Sequence, residues 1–164
     1  GKDRSNLAIR LIKLKHYTEA RQEILRAIEC KKPYGHAATP WTSWAILCDL
    51  EKAEGNEEAA EKARQEAIRL YFAYRRDGGE NHNFGGRLCL QFQQAIEANK
   101  TDEMADLLQQ LAGHPGIPSS AKTLIAKLQA ILGGSRDPAL AADPELYYRD
   151  AAEVRLLLEI LGGE

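Results

Sequence analysis

The sequence predicts an all-α fold, a short stack of about eight helices paired as antiparallel hairpins. Three observations predict it. The helix formers Ala, Leu, Glu, Lys, Arg and Gln dominate the chain. Apolar residues recur at the three-to-four-residue spacing of a helix, and no stretch alternates cleanly as a half-buried strand would. Seven polar or Gly/Pro-rich clusters punctuate the pattern, at 15–17, 31–35, 54–56, 77–86, 99–102, 113–120 and 133–145.

Each element follows in order. Leu7, Leu11 and Leu14 give the first helix an apolar face, which stops at "KHY". Ile24, Ala27 and Ile28 face the core from the second, which stops at "KKPYG". Trp44, Leu47 and Cys48 mark the third, and Ala59, Ala63, Ala67 and Leu70 the fourth. Arg75 and Arg76 suit the negative end of that fourth helix, and Gly78 suits a left-handed cap. The fifth starts at Gly85-Gly86 and carries Cys89, Phe92 and Ile96. Thr101 and Asp102 read as caps before Met104, Leu107, Leu108 and Leu111, with Gly113 just beyond. A seventh helix spans 119–133. Asp143-Pro144-Glu145 reads as a cap, a first-turn proline and a carboxylate at the start of the last, 144–161. Its face is Ala151, Val154, Leu157, Leu158 and Leu161, closed by Gly162-Gly163.

Composition narrows the function classes. A hydrophobic fraction of 44% and a charged fraction of 28% exclude wholesale disorder. No apolar run approaches the roughly 18 residues that cross a bilayer, and the start lacks a secretory signal pattern. Cys30, Cys48 and Cys89 are odd in number and far apart, which argues for buried thiols in a reducing cytoplasm rather than disulfides or a zinc knuckle. The net charge is −2, yet residues 1–34 hold nine Lys/Arg against four Asp/Glu. That asymmetry can steer a partner but is too small to imply nucleic acid. From the opening Gly1, followed at once by a helical pattern, the chain is expected to be a piece excised from a larger protein.

A periodic signal runs beneath the helices. Thirteen positions separate Leu7 from Ala20, Leu47 from Ala60 and Phe92 from Ala105, and Ala27, Ala67 and Ala112 follow seven later. Small residues let paired helices approach, and larger ones such as Trp44 fill the grooves between pairs. "KHYTEARQEILRAIECKKP" and "WAILCDLEKAEGNEEAAEKARQEAI" resemble tetratricopeptide repeats. The resemblance implies a superhelical stack with units at 1–34, 41–77 and 85–117 and an atypical pair at 118–162. Repeat spacings of 40 and 45 residues exceed the family's usual 34, through insertions at 34–40 and 71–86. "AYRRDGGENH" and "GSRDPALAADPE" further resemble the C-terminal repeat region of large bacterial multidomain signalling proteins, although no phosphate-binding G-x-x-x-x-G-K-[ST] is present.

The resemblance also implies a mode of action. First helices line the concave face of such a stack, which places Ser5, Ile9, Ile12 and Lys13, then Thr42, Ala45, Asp49 and Lys52, then Arg87, Leu90, Gln94 and Glu97 toward a protein or peptide partner or a neighbouring domain. The Lys/Asn/Arg set with which some family members clamp a chaperone's terminal carboxylate is missing at Ser5 and Ile9. Exposed end faces leave self-association as a variant.

Two other readings compete. Arg64, Arg69, Arg75, Arg76 and Arg87, interleaved with Tyr71 and Tyr74, have the residue types of an RNA contact. Cys48 or Cys89 with His36 or His82 has those of a thiol enzyme. Against the latter, "RRDGGENHNFGGRLC" reads as a hinge, its glycines and asparagines serving as caps and turns. His16, His36, His82 and His114 lack metal-ligand spacing, and no cofactor motif is present.

Overall fold

A computed structural model describes residues 2–162. They form eight α-helices and, among the described residues, no strand. In order these are α1 (Lys2–Lys13), α2 (Tyr17–Lys31), α3 (Pro40–Ala53), α4 (Glu57–Arg76), α5 (Phe84–Glu97), α6 (Thr101–Gly113), α7 (Ser119–Leu132) and α8 (Tyr148–Leu161). Short 3-10 segments, Lys32–Ala38 and Pro138–Ala142, precede α3 and α8. The chain divides into two compact units, Gly1–Tyr74 and Arg75–Glu164. No described helix is long and apolar enough to cross a membrane.

The odd-numbered helices all end in the same way. After α1, α3, α5 and α7, a residue with positive φ (Lys15, Gly55, Asn99 and Gly134) turns the chain. In each case the next backbone N–H reaches back five residues: His16 to Leu11, Asn56 to Glu51, Lys100 to Ala95 and Ser135 to Ala130. This is the glycine-type helix cap repeated four times, satisfying carbonyls that the helix end would otherwise leave bare.

These turns give a better register than the apolar anchors do. Seven residues before the turn stand Ala8, Cys48 and Phe92, and five after it stand Ala20, Ala60 and Met104. All six are buried. The third unit is therefore one residue out of step with the sequence alignment, with Phe92 and Met104 where the first two units have small residues.

In the first unit α1 packs on α2 and both pack on α3. The core gathers Ala8, Ala20, Ile24, Ala27, Leu47, Cys48, Leu50, Ala60 and Ala63. Ile24, Ala27 and Ile28 face inward as expected. Leu7 and Leu14 do not, being 46% and 67% exposed. The buried row of α1 is instead Ser5 and Ala8, continued by half-buried Leu11 and Ile12, because small side chains are what allow α1 to approach α2. On α4 the buried row is Ala60, Ala63, Arg64, Ala67, Ile68, Tyr71 and Phe72, with Ala59 and Leu70 only half-buried.

The second unit packs α5 against α8 and α6 against α7 around Phe92, Leu108, Leu124, Ile125, Leu128 and Val154. Its caps depart from expectation. Thr101 lies inside α6, whose flanking residue is Lys100, with no side-chain cap. The last helix begins at Tyr148, not 144. Asp143 accepts from the Glu145 backbone N–H at 2.9 Å, closing a turn that buries Leu146, and Asp137 does the same for Ala139 at the 3-10 segment. Gly162 follows α8 as predicted, whereas Gly163 lies outside the described residues.

Each unit buries one glutamate in the same polar setting. Glu51 of α3, 4% exposed, accepts both terminal nitrogens of Arg21 from α2 and the Asn56 amide at 3.0 Å. Glu153 of α8, 3% exposed, accepts Nε and Nη2 of Arg75 at 2.7 and 3.3 Å and the Asn81 amide at 2.9 Å. In both, a helix carboxylate is neutralised by an arginine fork and completed by a loop asparagine.

Candidate functional site

In the first unit the insertion at 34–40 builds a cleft. Within it Gly35 and Thr39 have φ values of +54° and +47°. For the β-branched Thr39 that conformation is unusual, and the surroundings hold it there. His36 sets its ring 6.4 Å from Trp41 and 5.8 Å, edge-on, from Tyr74, and Trp41 in turn packs on Tyr71 and Tyr74 at 5.4 and 4.8 Å. This aromatic cluster fixes the 3-10 segment as a wall beside α1 and α3. The cleft has a volume of about 570 Å³.

Lys31, the last residue of α2, is the cleft's most unusual side chain. It is 6% exposed. Its ammonium donates to the Thr42 hydroxyl at 2.9 Å and the Thr39 carbonyl at 3.4 Å, and Thr42 donates to that same carbonyl at 2.7 Å. Among the described residues no carboxylate pairs with it. Burial accordingly pushes its pKa below the ordinary lysine value. A cation with only neutral oxygen partners, at the side of an open cleft, lacks a countercharge.

The cleft draws together part of the predicted concave face. Ser5, Ile9 and Thr42 line it with Lys2, Asn6, Cys30, Tyr34 and Ile46. Ser5 is a buried floor rather than a contact surface, its hydroxyl 3.3 Å from that of Ser43. Ile12 packs on the core instead, and Lys13 is exposed beyond the cleft. Ala45 is half-buried, while Asp49 and Lys52 are exposed further along α3. Arg87, Leu90, Gln94 and Glu97 belong to the second unit and are all exposed. By the turn register the counterparts of Thr42, Ala45, Asp49 and Lys52 are Gly86, Cys89, Gln93 and Ile96, so the third predicted set lies one residue, or about 100°, around α5 from that face. Sequence reasoning passed over Lys31 and Tyr34. For Tyr34 the signal was there, an aromatic residue inside the insertion that departs from the repeat.

The competing chemistries find little geometry. Cys48 and Cys89 are buried, and desolvation raises both thiols, Cys89 strongly, so the reactive thiolate is disfavoured. Cys30 is exposed, contrary to the expectation of three buried thiols. His82 is exposed and sits 2.8 Å from Glu80. Among the described residues no three His, Cys, Asp or Glu side chains converge as metal ligands. Of the proposed RNA contacts, Arg64 and Tyr71 are buried, Tyr74 packs in the aromatic cluster, Arg69 holds Glu66 at 2.5 Å and Arg75 holds Glu153. Compared with known proteins, the chain matches no family model, no curated protein and no solved structure.

Proposed function

We propose that this chain is a binding module of tetratricopeptide-like hairpins that grips an extended peptide, or a segment of a neighbouring domain, and performs no chemistry of its own. The observation that carries the reading is the α1–α3 cleft with Lys31 at its side. Ile9, Ile46 and the 69%-exposed Tyr34 offer apolar contact, Asn6 and Thr42 offer hydrogen bonds, and Lys31 offers a desolvated positive charge. The occupant that satisfies all three is a peptide presenting a carboxylate beside an apolar side chain.

Fluorescence anisotropy with a peptide library, each member made with a free or an amidated acidic group, tests this. Binding should require the free carboxylate, and Lys31→Met should weaken it by about tenfold or more, the worth of a hydrogen bond to a charged group. Substitutions at Lys13 and Lys52 should leave it unchanged. Equal binding by Lys31→Met, or no binding by any acidic peptide, overturns the reading. Self-association is the second reading, supported by Leu7 on α1, Leu14 in the turn after it and Leu25 on α2, which stand 46%, 67% and 46% exposed. A concentration-dependent mass in light scattering that Leu14→Lys abolishes would support it.

A further inference from the structure

The second unit holds a cavity of about 360 Å³ where α5, α7 and α8 begin. Its lining is mostly apolar, with Phe84, Ile117, Pro118, Ala121 and Tyr147 prominent. Phe84 is 40% and Tyr147 47% exposed, unusually high for aromatic rings beside a cavity. One carboxyl enters this lining, that of Asp150.

Asp150 is held there by the backbone. Gly85, in the first turn of α5, has no side chain, and a Cβ built on it would overlap the Asp150 carboxyl. The glycine that looked like a hinge residue is thus the seat of an acid. The carboxyl has no hydrogen-bond or ion-pair partner among the described residues, in contrast to Glu153 one turn further on. The groups that face it are Glu153 and Arg149 of its own helix, Tyr147 before that helix and the Cys89 thiol of α5, whereas α7 approaches with Ala121 and Leu124. Desolvation first, and then repulsion from Glu153, raises its pKa to about 6. Arg149 opposes that rise only in part, for the carboxyl stays raised. That guanidinium is turned to Tyr148, donating to its hydroxyl at 3.0 Å and lying 5.6 Å from its ring centre.

We propose that this cavity is a binding site for an organic cation, an ammonium or guanidinium group on a short apolar or aromatic stem, with Asp150 as its counter-ion and Phe84 and Tyr147 flanking the charge. Both halves of the cavity fit that occupant. Open aromatic faces attract cations through the ring quadrupole, most strongly away from water. A desolvated carboxylate regains on pairing what burial took from it. The same cluster already uses this chemistry internally, with Arg149 on Tyr148. The site is separate from the Lys31 cleft and stands whether or not that cleft binds peptides.

Phenethylamine is the probe, added to the full ¹⁵N-labelled chain and followed by amide chemical shifts. The amides of Gly85, Ala121 and Asp150 should move together at millimolar probe, whereas 2-phenylethanol, which has the same stem without the charge, should leave them in place. With a carboxyl that ionises near pH 6, affinity should be about tenfold weaker at pH 5 than at pH 8. Asp150→Asn should abolish binding, and Phe84→Leu should weaken it without altering the pH profile. If Asp150→Asn fails to fold, the pH series on the natural chain decides. N-acetylarginine amide against an arginine-containing peptide distinguishes a small amine from a protein side chain as the source of the cation. Three results would overturn the proposal: equal shifts with 2-phenylethanol, pH-independent affinity, or shifts at these amides with inorganic phosphate but not with the amine.

Discussion

Arg21→Ala tests how much of the first unit rests on charge at the α2–α3 junction. Glu51 is 4% exposed and depends on both nitrogens of the Arg21 fork, with Asn56 adding one neutral hydrogen bond. Removing the arginine strands a carboxylate in a dry place. Breaking a fully buried pair costs about 3–5 kcal/mol, and breaking an exposed pair at most about 1. The Arg21 side chain is 34% exposed and Asn56 remains, so the loss at pH 7 should be about 2–3 kcal/mol. Both tryptophans, Trp41 and Trp44, lie on α3, so their fluorescence in urea follows this unit. With a slope of about 2 kcal/mol per molar urea, the midpoint should fall by about 1 M. The pH dependence is specific. Hydrogen bonds from Arg21 hold the Glu51 carboxyl below its ordinary value of 4.5. The unfolded state therefore takes up protons first, and the stabilisation, complete above pH 4.5, is lost as pH falls through the lowered folded value. The gap between natural chain and variant should accordingly shrink toward pH 3. A midpoint shift below about 0.3 M at pH 7, or a gap that persists unchanged at pH 3, refutes the reasoning.

Four further outcomes follow from particular residues. Lys31→Met should cost no stability at pH 7 and gain up to about 1 kcal/mol, because a desolvated ammonium gives way to an apolar chain of similar length. Since the folded Lys31 pKa is lowered, the natural chain gains stability as pH rises from the lowered folded value toward 10.5, so this gap should narrow with rising pH in urea titrations. Gly86→Ala should cost about 1–3 kcal/mol, because its Cβ would overlap both the side chain and the backbone oxygen of Asn81. Gly85→Ala should be partly rescued by Asp150→Ala, since its overlap is with a side chain, and a double-mutant cycle in urea reads the difference. In a thiol-reagent assay on the native chain Cys30 should react promptly, while Cys48 and Cys89 should react only on unfolding.

The helices were legible because their signals are local. Glycine and asparagine at 55, 99 and 134 announce turns in any context, and the Ile24–Ala27–Ile28 row can face only one way. What failed depended on partners that sequence does not show. Leu7 and Leu14 make a better apolar stripe than Ser5 and Ala8, yet the smaller pair is buried because α1 lies too close to α2 for leucines between them. The start of α8 was misplaced because Asp143-Pro144-Glu145 satisfies the rules for a helix start and for a turn equally well, and burying Leu146 decides for the turn. The groove was half legible. Ser5, Ile9 and Thr42 came from the repeat register, which slips by one residue in α5 where Phe92 takes a small residue's place. Lys31 escaped because nothing local distinguishes a lysine that will be buried from one that will not.

The two buried glutamates show why polar residues here need not imply chemistry. Glu51 and Glu153 have the burial and neighbours that in a cleft would suggest catalysis, but every partner is committed to holding the chain. Arg21 ties α2 to α3, and Asn56 ties the following turn to the same carboxylate. Arg75 ties the end of α4 to α8, and Asn81 ties the glycine-rich loop there. That second arrangement accounts for much of the glycine-rich stretch read as a hinge: Arg75 and Asn81 are engaged by Glu153, and Gly86 lets Asn81 approach. By the same logic Lys31 and Asp150 stand apart. Neither has an ion-pair partner among the described residues, and each borders a cavity. The fold gives buried Glu51, Glu153 and Arg64 opposite-charge ion pairs, and gives none to buried Lys31 or half-buried Asp150 among the described residues.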